Sequence, residues 1–399
     1  MLFQTHIRAP GPVAVAMSGG VDSSLAAVLL KEAGYQVIGL TMQLWSDRDR
    51  GQSSRCCSPE ALDDAREICR QWDIPHHLVD LRKQFSDKVI RCFVHEYLQG
   101  RTPNPCVICN RHIKWRGLLP KARKLGARAL ATGHYARVRK DSTGSRFQLL
   151  RGADQDKDQS YALWGLSQDD LAATILPLGN LTKQETRRLA GERGIAVAGK
   201  RDSQEICFIP EDDYGTFIEE HFAPAVSGET PGSEAYPWSP GPIVDQEGNI
   251  LGQHRGLPFY TVGQRRGLGL ALGRPVYVVD IDRTCNRLVV GTERDLLKQH
   301  LWAHRVNWVS IKSPPQAISC EVQIRYNHRA GPARLVYLSN GDVHVEFEQS
   351  QRAITPGQSA VFYDRDMVLG GGVIRRPGRE EVVELLPEAS VDVTGERSP

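Results

Sequence analysis

Two short segments of this chain carry residue types at spacings suited to covalent chemistry. The first, SGGVDSS (Ser18 to Ser24), combines two glycines, three hydroxyls and one carboxylate. Gly19 and Gly20 let the backbone approach a phosphate closely, and N–H groups at a helix start, with the hydroxyls of Ser18, Ser23 and Ser24, can bond its oxygens. Asp22 adds nothing to phosphate affinity; a carboxylate there serves to hold Mg2+ or to orient the loop. The plain alternative is a Ser/Gly turn whose Asp and Ser cap a helix. No Gly-Lys-Ser/Thr closes the segment, so hydrolysis of a γ-phosphate in the P-loop manner is not supported.

The second segment, TPNPCVICN, sets Cys106 and Cys109 in a CxxC just before an amphipathic helix. Such a pair fits either a redox couple or half of a metal site. A nearby helix N-terminus and the basic neighbours Arg111, His112 and Lys114 favour the nucleophilic thiolate. Cys207, in KRDSQEICFI, lies at the end of the same predicted domain, where folding can bring the three thiols together. Tetrahedral zinc wants four ligands, commonly two such pairs, so zinc is the weaker reading even with His112 to complete it. For Cys56, Cys57, Cys69, Cys92, Cys285 and Cys320 ordinary burial is expected.

Arg101 to Lys140 contains eleven Lys or Arg residues and no Asp or Glu. Phosphates neutralised by such a run release counterions and add salt-sensitive affinity for RNA, so the reading is an RNA surface beside the CxxC, against the plainer one of a solvated helix face. Trp115, Tyr135 and Tyr161 are aromatic residues of the kind that stack on splayed bases. GQRRGLG (Gly263 to Gly269) places two arginines between glycines, as a phosphate clamp on an exposed turn would.

The elements that position these residues alternate. VAVAM, YQVIGLTMQLW, HHLVDL and ALATGH read as strands, with VDSSLAAVLLKEAG, PEALDDAREICRQWDI and TKQETRRLAGERGI as helices. Alternation of this kind predicts a parallel sheet covered on both faces, with ligands at the carboxyl ends of its strands. After about Phe208 the pattern gives way to Gly/Pro clusters and short strands. From RVNWVSI to SAVFYD it reads as an antiparallel barrel with NG, PG and GGG as turn signals. The expected division is 1–212 catalytic, 213–281 a small central domain, 282–378 the barrel, and 379–399 a loose acidic tail.

The whole-chain balance decides little: 399 residues, 40% hydrophobic and 24% charged, with a formal net charge of +3. The opening residues lack the pattern of a signal peptide and no apolar run approaches the ~18 residues of a membrane span, so a cytoplasmic protein without membrane association is expected. Nine cysteines are then mostly free thiols.

SGGVDSS resembles the PP-loop of ATP pyrophosphatases. Together with TPNPCVICN, TGHYARV, KDQSYAL, ILPLG, RDSQEICFI and FYTVGQRRGLG, in order from about Val13 to Arg376, it closely resembles the tRNA-specific 2-thiouridylase family. The resemblance implies an α/β PP-loop domain, a small central domain and a C-terminal antiparallel β-barrel. It implies ATP bound by Ala16, Met17, Ser18, Gly19, Gly20, Val21, Asp22 and Ser23 with Met42 and Gly133, and sulfur replacing the C2 oxygen of a wobble uridine in the anticodon arm of tRNA. Cys207 looks like the carrier of a persulfide delivered by a cysteine desulfurase or relay protein, and Cys109 like the nucleophile that pairs with it in a transient disulfide. Asn104, Pro105 and Cys106 match the contact to the flipped base; Lys157, Asp158 and Gln159, with Arg325 and Tyr326, match contacts to tRNA. Many family members carry Asp where this chain has Cys106. The resulting trio Cys106, Cys109 and Cys207 is similar to three-cysteine ligation of a [4Fe–4S] cluster with one iron free to hold sulfide, a route that gives Cys207 a different job. Outside this family, a PP-loop thiolase for another tRNA base shares most of these features. A PP-loop amidotransferase or ligase shares SGGVDSS but leaves the cysteines idle.

Overall fold

The computed structural model describes residues 5–7, 11–44, 58–200, 206–209, 213–225, 239–312, 314–378 and 381, with no account of the side chains of 222–225. Cys56, Cys57, residues 201–205 beside Cys207 and nearly all of the expected acidic tail lie outside them.

The first layer is a five-stranded sheet in the order β3-β2-β1-β4-β7. It comprises β1 (Pro12–Ala16), β2 (Gln36–Gln43), β3 (His76–Asp80), β4 (Ala129–Ala131) and β7 (Thr174–Ile175). Every pairing is parallel, with Val13 opposite both Val37 and Ala129. Val13, Ala14 and Val15 are buried, as expected of a central parallel strand covered on both faces. Because β2 and β3 lie on one side of β1 and β4 and β7 on the other, strand order reverses beside β1, and a crevice opens at its carboxyl end. Helix α1 (Val21–Glu32) buries nine of its residues from Val21 to Leu30 and closes into Gly34 at φ +86°. Helix α2 (Pro59–Gln71) starts at Ser58, whose hydroxyl accepts from the Ala61 N–H at 3.2 Å.

The small sheet has the order β10-β11-β8-β9, from β8 (Gly241–Val244), β9 (Ile250–His254), β10 (Tyr277–Asp282) and β11 (Arg287–Gly291). Residues 281 and 282, where the sequence was divided, fall within β10. The third sheet closes on itself because β12 (Leu297–Asn307) pairs with both β15 (Val343–Arg352) and β17 (Met367–Arg375). The ring is completed by β14 (Gly331–Tyr337), β13 (Ala317–Gln323) and β16 (Ser359–Asp364).

Two features depart from the sequence reading. The hairpin of β5 (Ala136–Lys140) and β6 (Phe147–Arg151), from the catalytic segment, joins the barrel sheet through Leu149 and Leu150 against β17. The GGG taken as a turn, Gly370 to Gly372, runs inside β17. A Cβ at Gly370 would lie 2.4 Å from the Asn307 carbonyl oxygen and one at Gly371 2.8 Å from the Trp164 ring. These glycines therefore serve close packing rather than reversal of the chain.

SYALWGL (Ser160 to Leu166) anchors the two large units to one another. The Tyr161 hydroxyl donates to the Ser359 carbonyl at 2.9 Å, and Asn307 donates to the carbonyls of Trp164 and Leu166 at 2.7 and 3.0 Å. The barrel also grips the cysteine segment: Gln358 donates to the carbonyls of Thr102 and Pro103 at 3.0 and 3.3 Å, and the Thr102 N–H donates to Pro356 at 2.9 Å.

Candidate active site

The nucleotide loop is built by β1 running through Met17 into α1. Gly19 adopts φ +69° and packs so tightly on the start of α2 that a Cβ would lie 2.1 Å from the Ala61 carbonyl oxygen. The Ser18 N–H donates to the Ser23 hydroxyl at 3.1 Å, and the hydroxyls of Ser23 and Ser24 both donate to the Gly20 carbonyl, at 3.1 and 3.0 Å. These serines hold the loop's shape. The N–H groups of the first turn, which have no acceptor four residues back, remain for a phosphate, where the helix dipole favours negative charge. Gly133, just past β4, completes the crevice: a Cβ there would lie 2.7 Å from the Asp22 carbonyl carbon and 2.8 Å from the Ser23 nitrogen. Ala16, Met17 and Met42, at the ends of β1 and β2, are buried.

Asp22 does not present an open carboxylate for Mg2+. Lys183 donates to both of its oxygens at 2.8 Å, and the Tyr135 hydroxyl donates to Oδ1 at 2.8 Å. Of the two jobs read from the sequence, this arrangement carries that of orienting the loop. Neither partner was singled out for it in the sequence, because Lys183 lies 161 residues away and Tyr135 lies 113 residues away.

The cysteine segment begins with a cap. The Asn104 side chain accepts from the N–H groups of Cys106 and Val107 at 3.1 and 3.4 Å, and Pro105 occupies the first helical position, where its missing N–H costs nothing. The helix Pro105–Cys109 runs on through a π-helical segment, Asn110–Leu118, into Leu119–Lys124. Extra-wide turns of this kind re-aim side chains and recur at functional sites. Here the turn aims Lys114 at His134, 3.2 Å from Nε2. His134 adjoins Gly133, so the thiol-bearing helix and the nucleotide loop converge on one crevice.

His134 is buried, and its Nδ1 lies 2.6 Å from the Thr132 hydroxyl. Lysine can only donate, so Nε2 accepts and the ring proton sits on Nδ1. Burial, and then the charge of Lys114, hold its pKa well below 6.5. The native state therefore refuses a proton that the unfolded chain accepts, and stability falls as pH drops through 6.5. Replacing His134 with Gln is expected to lessen the loss of unfolding free energy between about pH 7.5 and 5.5 by up to about 1.4 kcal/mol. Urea unfolding at the two pH values reads this, and an unchanged loss contradicts it.

Cys106 is exposed, and Cys109 and Cys207 are half-buried. Cys109 and Cys207 pack against the same hydrophobic core. Cys207 is held by its neighbour Phe208, whose ring lies 5.3 Å from those of Phe93 and Phe217 and 5.7 Å from Phe85. Among the described residues no group of three His, Cys, Asp or Glu side chains is placed to hold a metal ion.

Of the residues matched to tRNA contacts, Gln159 and Tyr326 meet directly. Tyr326, 43% exposed, hydrogen-bonds Gln159 and lies within electrostatic reach of Asp158 and Cys106. Arg325 donates to the Arg352 carbonyl at 3.0 Å. Asp158 has a different part, since its side chain is only 7% exposed. It accepts from the N–H groups of Gly152 and Ser160 at 2.9 and 3.0 Å and from the Ser160 hydroxyl at 2.8 Å, which makes it the organiser of its loop. Trp115, Tyr135 and Tyr161 are buried and not placed to stack on bases; Trp115 donates to the Thr174 hydroxyl at 2.6 Å. Arg265 and Arg266 do lie on an exposed turn.

Comparison with known proteins agrees with this architecture. Residues 11–211 match the family described as the tRNA methyl transferase HUP domain, 233–292 its PRC-barrel domain, and 298–374 the aminomethyltransferase beta-barrel domain. The chain is 48% identical over 366 residues to the tRNA-specific 2-thiouridylase MnmA of Heliobacterium modesticaldum, covering 91% of this chain and 92% of that one. It is likewise 48% identical to the protein of that name from Clostridium perfringens strain 13, covering 91% and 98%. Among solved structures, a 4-thiouridine synthetase in complex with RNA and ATP aligns at 18% identity and a TM-score of 0.33, over 54% of this chain and 51% of that one. With relatives of that name matched almost end to end at nearly half identity, the chain belongs to the tRNA-specific 2-thiouridylase family.

Proposed function

We propose that this protein is an ATP-dependent tRNA sulfurtransferase that replaces the C2 oxygen of the wobble uridine with sulfur. The observation that carries the reading is the convergence of the nucleotide loop and the thiol helix through the Lys114–His134–Gly133 contact. A uracil C2 carbonyl is a poor electrophile and its oxygen a poor leaving group. Attack of that oxygen on the α-phosphorus of ATP releases pyrophosphate and makes the oxygen leave later as AMP. Extruding the base from the anticodon stack exposes C2, with Asn104, Pro105 and Cys106 at its edge and Lys157, Gln159, Arg325 and Tyr326 along the RNA.

The terminal sulfur of a Cys207 persulfide attacks C2 and AMP departs. The Cys109 thiolate then attacks the Cys207 Sγ and breaks the S–S bond, so the sulfur's electron pair returns to the base as the thiocarbonyl. A Cys109–Cys207 disulfide remains, and two electrons from an external thiol reopen it. A half-buried position for both thiols on one core supports this route. The persulfide comes from a desulfurase or relay partner, and the work is done in the cytoplasm; no helix among the described residues is long and apolar enough to cross a membrane. In a mixture of the enzyme, ATP, Mg2+, unmodified tRNA and a persulfide donor, nucleoside mass spectrometry should find 2-thiouridine, with one pyrophosphate formed per sulfur. Sulfur on a different base, or pyrophosphate release without tRNA at the same rate, overturns the proposal.

A further inference from the structure

Asp22 faces two anchors that both lead to one loop. Tyr135, which donates to its Oδ1, is bonded twice to Gln159: the Tyr135 N–H donates to the Gln159 side chain at 3.0 Å, and the Gln159 N–H donates to the Tyr135 carbonyl at 2.8 Å. Lys183, which grips both carboxylate oxygens, opens the helix Lys183–Glu192, and its own N–H donates to Asp154 at 2.8 Å. Asp154 and Gln159 bracket Lys157 and Asp158. Gln159 also reaches the Tyr326 hydroxyl on the barrel. The Lys183 side chain is only 12% exposed and that of Asp22 33% exposed, so the ion pair is partly shielded from water and its geometry matters.

A carboxylate inside a triphosphate site repels its ligand unless it is neutralised or turned aside. Whatever shifts Tyr135 and Lys183 therefore changes the affinity of the nucleotide loop. We propose that Tyr135 and Lys183 are positioning residues that link tRNA on the 154–159 loop to the setting of Asp22, so that nucleotide is held tightly only when tRNA is in place. The link rests on the reading of that loop as a tRNA contact. Its chemical benefit is direct, because adenylation without the acceptor base would waste ATP.

The test uses the full chain and α,β-methylene-ATP, which cannot release pyrophosphate. Saturating tRNA should tighten its binding to the parent about tenfold, within the usual range of coupling between sites. Lys183→Met and Tyr135→Phe should reduce that effect to less than about twofold, while tRNA binds each variant alone within about twofold of the parent. Lys183→Arg, which keeps the charge, should retain most of the effect; unchanged tRNA affinity shows that the variants are folded. Lys157→Ala probes the loop itself and should weaken tRNA binding at least about threefold. Unaltered tRNA affinity in Lys157→Ala overturns the contact of the loop with tRNA, and the link with it. Weakened affinity there, with parent-like coupling in Lys183→Met and Tyr135→Phe, overturns the link alone, as does a parent with no coupling.

Discussion

Cys207→Ser will still cleave ATP in the presence of tRNA but will form no detectable 2-thiouridine, a loss of at least about a thousandfold in sulfur transfer. The separation follows from the two halves of the site. Adenylation needs the nucleotide loop and the extruded base, and Cys207 lies outside both: it is fixed by Phe208 among the rings of Phe85, Phe93 and Phe217. Sulfur transfer needs a persulfide, which an alcohol cannot carry. Serine is nearly the size of cysteine and the position is only half-buried, so the fold should survive. Pyrophosphate release and nucleoside mass spectrometry on the same reaction give both readouts. Normal thiolation by this variant removes Cys207 from the mechanism, and loss of pyrophosphate release together with sulfur shows that the residue serves the nucleotide step instead.

The second large effect is expected at Gly19. Alanine in the left-handed region costs about 1 to 2 kcal/mol, and here the new methyl would also collide with backbone, 2.1 Å from the Ala61 carbonyl oxygen. Backbone cannot rotate away as a side chain can. Either the loop or the start of α2 must move, and the first-turn N–H groups lose their aim. Gly19→Ala should therefore raise the KM for ATP about a hundredfold, equivalent to about 3 kcal/mol, with tRNA affinity in the absence of nucleotide kept within about threefold. Steady-state pyrophosphate release against ATP concentration, paired with filter binding of tRNA, makes the measurement. An ATP KM within about threefold of the parent would place the nucleotide elsewhere.

Local patterns in the chain were legible where a physical rule ties residue type to conformation. SGGVDSS leads from the end of β1 into the first turn of α1, as read. Asn104 and Pro105 start a helix because one side chain caps it and the other needs no N–H. The readings of β1, β2 and β4 agree with the structure because strands buried on both faces read as continuous apolar runs. Rules of that kind misled where a residue answers to a distant neighbour. Gly370, Gly371 and Gly372 looked like a turn, yet they sit inside a strand because Asn307 and Trp164 approach them. The stretch from Arg101 to Lys140 looked like one uninterrupted positive field. Folded, Arg101 pairs with Glu96, Arg137 with Asp366 at 2.8 Å, and Lys114 turns inward to His134. Its missing acids are partly supplied from elsewhere in the chain.

Composition, spacing and helix chemistry by themselves determined a phosphate-binding turn at the end of a buried strand, a CxxC at a helix start, and a β-rich C-terminal half. Those properties depend on neighbours within a few residues, where the chain fixes geometry on its own. Tertiary structure alone decided that Lys183 and Tyr135 hold Asp22, that Asp158 is turned inward, and that Gln358 of the barrel grips the backbone ahead of the thiols. Charge neutralisation and buried hydrogen bonds are settled by whichever group folding brings within about 3 Å, and no local pattern encodes which group that will be.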